Sequence, residues 1–150
     1  MKNIKYMKII GISTVTTNAN GQSAEDLGKL WGRFFEENIS AKIPNKVSDE
    51  IYAVYTDYES NYLGKYTTII GQKVESLDTV PENLMAREFP NENFQKFVAK
   101  GEMPNAVVEV WKEIWQKDEQ LGRKYTYDYE IYGEKSQNGN ESEVEIFIAV

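Results

Sequence analysis

The triplet Asp-Tyr-Glu occurs twice, as Asp57-Tyr58-Glu59 and as Asp128-Tyr129-Glu130, and these carboxylates are the side chains with most scope for chemistry. The second copy has the clearer surroundings. It lies in Tyr125-Thr126-Tyr127-Asp128-Tyr129-Glu130-Ile131-Tyr132, which reads as one strand of a β-hairpin with Val144-Glu145-Ile146-Phe147-Ile148-Ala149-Val150 as the other. Side chains alternate across a strand, so Val144, Ile146, Ile148 and Val150 form a core face, with Glu145, Phe147 and Ala149 opposite. On the first strand Tyr125, Tyr127, Tyr129 and Ile131 are the more apolar row. That phase puts Glu130 on a non-core face with Tyr132 and Phe147. A carboxylate flanked by two aromatics can hold a ligand, yet a lone glutamate on an exposed strand is commonly just solvated, and the hairpin leaves both readings open.

Composition removes much of the alternative chemistry. The chain has 150 residues, enough for one domain with a substantial core. With no Cys there is no thiol nucleophile, thiolate metal site or disulfide, and with no His the commonest general base and metal ligand are missing. Asp57, Glu59, Asp128 and Glu130 make a weak metal site, since no ordered oxygen-ligand loop surrounds them, so neither metal nor cofactor is expected. A net charge of −7 with 17 scattered Lys and Arg argues against a nucleic-acid groove and favours cationic partners. The stretch from Met1 to Val15 has a basic start, but its apolar run is short, β-branched and interrupted by Gly, Ser and Thr; it reads as a strand rather than a signal peptide. No run is long enough to span a membrane, and a cytoplasmic location is expected.

The elements that must position these residues repeat. After the first strand, Ser23 is a good N-cap with Asp26 to complete a capping box. Leu27, Leu30, Trp31, Phe34 and Phe35 then make one apolar helical stripe. Two strands follow, Glu50 to Tyr58 and Tyr66 to Val74. Leu77 to Asn93 reads as a linker holding a short extended piece, Leu84 to Phe89. A strand from Phe94 to Ala99 precedes a second helix, whose stripe Val107, Val110, Trp111, Ile114 and Trp115 sits 80 residues after the first, position for position. The spacing predicts an α+β fold of two strand-helix-strand-strand units, at about 1–76 and 84–150 of a single domain. Side by side, two such units bury their helices against an antiparallel sheet and leave a groove along their junction.

In the order and spacing of its motifs the chain resembles the GyrI-like small-molecule-binding domains, which include effector-binding domains of AraC-type and multidrug-sensing transcription activators. The matching residues are Ile51 to Glu59, Tyr66-Thr67, Ile70-Gly71 and Val74 in the first half. In the second half they are Phe97, Gly101, Pro104, Trp111, Ile114-Trp115, Arg123 to Tyr125, Asp128 to Tyr132 and Ile146 to Val150. The resemblance implies a fold with pseudo-twofold symmetry and a central cleft for hydrophobic, often cationic, small molecules. It assigns the buried acid to Glu130 and the cleft aromatics to Trp111, Tyr132 and Phe147, with Tyr52 or Tyr55 from the first half. Phe147 stands where related domains often carry Tyr, so a hydroxyl contact is expected to be missing.

Ligand binding without chemistry is the first functional reading, with no DNA-binding domain expected because no helix-turn-helix segment precedes the first helix. Hydrolysis of small strained-ring electrophiles is a second, as in some GyrI-like relatives, with Glu130 activating water and a tyrosine assisting. A third is a gyrase-inhibitor-like module that contacts a protein partner through its acidic surface.

Overall fold

The computed structural model describes residues 6–150; residues 1–5 of the basic start lie outside the described residues, and the apolar run from Ile9 to Val15 is part of a strand, as its β-branched residues indicate. Chain order is β1 (Tyr6–Thr17), α1 (Gln22–Glu36), α2 (Ile39–Lys42), β2 (Ile51–Thr56), β3 (Lys65–Lys73), β4 (Met85–Pro90), β5 (Phe94–Lys100), α3 (Asn105–Gln116), α4 (Asp118–Leu121), β6 (Tyr127–Tyr132) and β7 (Glu143–Ala149). The strands form one sheet in the order β4-β1-β3-β2-β6-β7-β5, and every pairing is antiparallel.

That order displays the duplication. The triplet β1-β3-β2 from the first unit is mirrored by β5-β7-β6 from the second, and the units join where β2 pairs with β6. The extended piece in the linker became β4, which adds an outer strand to β1. Both sheet edges, β4 and β5, are consecutive in the chain with only three residues between them. The sheet must therefore curl until its edges approach. Its inner, helix-free face closes on itself around Ile9, Tyr52, Val54, Ile69, Phe89 and Tyr127. Removing this much apolar surface from water is the main stabilising term, at roughly 25 cal/mol per Å².

The other face carries the helices. Leu30 and Phe34 of α1 pack on Ile10, Ile12, Ala53 and Ile70, and Val107 and Ile114 of α3 pack on Ala99, Val144, Ile146 and Ile148. Each helix covers its own half of the sheet, so a gap remains above the β2–β6 seam. Among the described residues no helix is long and apolar enough to cross a membrane.

Several local expectations are corrected. Ser23 does not cap α1: the helix opens two residues earlier, at Gln22 after a left-handed Gly21, and Asp26 accepts hydrogen bonds from Thr16 Oγ1 at 2.9 Å and Gln22 Nε2 at 3.2 Å. Tyr125 does not belong to the strand row, since its φ of 58° turns the chain before β6 begins. The two Asp-Tyr-Glu triplets are not structural counterparts either. Asp57 is left-handed, with φ 52°, and lies past the end of β2, whereas Asp128 to Glu130 lie within β6.

Candidate functional site

The gap above the seam is a cavity of about 510 Å³. Trp31 and Leu27 of α1 form one wall and Trp111, Trp115 and Val107 of α3 the facing one; Tyr55, Tyr66, Glu130 and Tyr132 rise from the sheet. The 80-residue offset between the helical stripes makes Trp31 and Trp111 counterparts, so the wall is a duplicated feature.

Glu130 is buried at 1% exposure. Register explains why: it pairs with Ala53 on β2 and Ile146 on β7, so its side chain leaves the sheet on the helix-covered face. Three neutral donors meet its carboxylate. Trp111 Nε1 donates to Oε2 at 2.5 Å, the Tyr132 hydroxyl donates to Oε1 at 2.7 Å, and the Tyr55 hydroxyl also supports the charge. Burial raises the Glu130 pKa above the usual carboxylate range, and the bonds from Tyr132, Trp111 and Tyr55 pull against that rise without cancelling it. In turn burial, with the carboxylate next to them, holds the Tyr55 and Tyr132 hydroxyls well above the usual phenol range.

Aromatic rings pack edge to face around this group, Trp31 on Tyr132 at 4.9 Å and Tyr55 on Trp111 at 5.5 Å between centroids. Among the described residues no basic side chain pairs with Glu130. Arg123 borders the same cavity, but its guanidinium holds Asp128 at 2.8 Å and Asp118 at 3.4 Å.

Of the residues singled out in the sequence, Glu130, Trp111, Tyr132 and Tyr55 meet in this cavity, and Tyr52 and Phe147 do not. Phe147 pairs with Tyr129 and stacks on it at 4.8 Å, while Tyr52 stacks on Tyr129 at 5.8 Å; both belong to the curled inner face. The non-core face assigned to Glu130 was a phase error. The carboxylate shares the face of Ile146, and Tyr129 shares that of Phe147.

Trp31, Tyr58, Tyr66 and Arg123 were missed. Trp31 could have been found by carrying Trp111 back through the 80-residue offset; the other three lie among the residues that carry the family resemblance, but nothing in their spacing marks them as cavity-facing. Among the described residues no group of acidic side chains is placed to hold a metal ion.

This geometry sits on a fold with known relatives. The family model for Cass2, integron-associated effector binding protein, matches residues 1–150. The chain belongs to that family. Its Cass2-type fold is shared with the integron cassette protein VCH_CASS2 from the mobile metagenome of Vibrio cholerae, at 29% identity over 99% of this chain and 94% of that one, with a TM-score of 0.72. SAV2435, solved bound to tetraphenylphosphonium, superposes with a TM-score of 0.80 at 18% identity, covering 99% of this chain and 94% of that one. A Bacillus subtilis (strain 168) relative named "Putative transcriptional regulator protein YobU" is 29% identical over 146 residues, 95% of this chain and 91% of its own. The GyrI-like resemblance read in the sequence therefore holds for fold and family.

Proposed function

We propose that the protein binds hydrophobic, cationic small molecules in the cavity between α1 and α3, using Glu130 as the anionic contact and Trp31, Trp111, Tyr55 and Tyr132 as the aromatic wall. The observation that carries this reading is Glu130 itself: a carboxylate 1% exposed beside a cavity of about 510 Å³, with no basic partner among the described residues. An uncompensated buried charge is costly, and a ligand cation relieves that cost. Each well-placed ring adds cation–π attraction on the order of 0.5–2 kcal/mol. Flat rings and one charge discriminate little by shape, so a range of lipophilic cations should bind. The cation bound by the fold relative SAV2435 supports the same chemistry.

The test is direct because all three tryptophans of the chain line the cavity, which makes its intrinsic fluorescence a report on that space. Titration with tetraphenylphosphonium should give saturable quenching, and Glu130→Gln should weaken it at least tenfold, the effect of removing one charge-assisted contact of about 1.4 kcal/mol or more. Absence of quenching in the wild-type protein would overturn the reading.

A further inference from the structure

The duplication fixes where the one buried charge lies within the cavity. Ala53 of β2 faces Glu130 of β6 across the seam. Tyr55 stands two residues beyond Ala53 and Tyr132 two beyond Glu130, and because the strands are antiparallel these tyrosines lie on opposite sides of that pair. The helices obey the same exchange. Trp31 of α1 packs edge to face on Tyr132 at 4.9 Å with the rings 73° apart, and its counterpart Trp111 of α3 packs edge to face on Tyr55 at 5.5 Å and 78°. Each tryptophan thus meets the tyrosine of the other unit, and the axis relating the units runs through the Ala53–Glu130 pair.

At this axis one unit places a methyl group and the other a carboxylate, so the cavity has one charge between two corresponding halves. Glu130 accepts one hydroxyl from each unit, from Tyr55 and from Tyr132. The walls repeat as well: at the 80-residue offset Leu27 and Gly28 of α1 correspond to Val107 and Val108 of α3, and all four line the cavity. A cation received by Glu130 is therefore flanked by an aromatic half on either side. We propose that the preferred ligands carry their charge in the middle, between two aromatic arms, one against Trp31 and the other against Trp111. A molecule charged at one end fills one half and leaves the other to water. Flat walls select little by outline; they select the position of the charge within the ligand. This preference rests on the cation binding proposed above.

Two isomeric cations test it: dibenzyldimethylammonium, with its nitrogen between the rings, and (biphenyl-4-ylmethyl)trimethylammonium, with its nitrogen at one end. By calorimetry the centred isomer should bind wild-type protein about tenfold more tightly, because it removes apolar surface from water in both halves. Trp31→Ala takes away the α1 wall and none of the three donors on Glu130. Gly28→Val fills the same half from a position where an added side chain meets open space, so the fold stays intact. Either variant should bring the ratio down to about twofold or less. Equal affinities in the wild-type protein, or a preference undiminished in either variant, would overturn the proposal while cation binding stood. Binding of neither isomer would overturn both.

Discussion

Trp111 Nε1 lies 2.5 Å from Glu130 Oε2, a single hydrogen bond that ties the middle of α3 to the middle of β6 across the floor of the cavity. The indole thus has two roles in the proposed site, as an aromatic wall for the ligand and as a donor that favours the ionised form of the carboxylate. Trp111→Phe separates them. The ring remains but the donor is lost, so the Glu130 pKa should climb further and the affinity for tetraphenylphosphonium near neutral pH should drop about tenfold by calorimetry, recovering as pH is raised. An affinity that falls equally at all pH values would show that only the wall matters.

The same carboxyl sets a pH dependence. Its pKa in the folded protein is raised above the ordinary 4.5, so over the interval between them the folded chain holds a proton that the unfolded chain has lost. Stability contributed by this group is fully present below 4.5 and is lost as pH rises through the folded-state value. Ligand binding runs the other way. A cation favours the carboxylate, expels the proton and therefore binds more tightly as pH rises through the same window. Opposed slopes of denaturation midpoint and cation affinity, both flattened in Glu130→Gln, are the expected outcome; parallel slopes would contradict it.

How much of this was legible follows from what alternation and periodicity can encode. The helical stripes and the 80-residue offset were readable because each helix must bury one face on its own half of the sheet, which imposes the spacing in both units. The phase of β6 was not. Alternation identifies two rows on a strand and cannot say which faces the helices when both faces are buried, as they are here because the sheet curls on itself. Tyr127 and Tyr129 looked like the core row and are one, of the inner core. The Arg123–Asp128 pair lay beyond reach because its members are joined by the turn at Tyr125, whose left-handed backbone the sequence does not announce.

That correction of phase is itself testable. Phe147 is the position where a tyrosine would have offered a ligand hydroxyl had it faced the cavity. Since it stacks on Tyr129 on the opposite face, Phe147→Tyr should change cation affinity less than twofold, whereas Tyr55→Phe should weaken it several-fold by removing support from Glu130. A gain of affinity in Phe147→Tyr would return this residue to the site.

Two ion pairs in the molecule should contribute very differently to stability, although both look well formed. Arg87 grips Asp57 through two bonds, at 2.9 and 3.1 Å, but the partners are 35% and 49% exposed, so solvent screens the pair. Arg87→Ala should cost no more than about 1 kcal/mol in a urea titration. Asp128 is 0% exposed, and it alone gathers Arg123, the Tyr58 hydroxyl and the Ala149 N–H. Asp128→Asn keeps the shape and removes the charge, which leaves the buried guanidinium with Asp118 at 3.4 Å as its remaining carboxylate. Breaking a buried pair by removing one partner typically costs about 3–5 kcal/mol. The loss should also reach the cavity, because Arg123 lies against Trp111 and Trp111 holds Glu130, so tryptophan emission should shift in the same variant. A denaturation midpoint no lower than that of Arg87→Ala, with unchanged emission, would show that the pair neither holds the seam nor positions the indole.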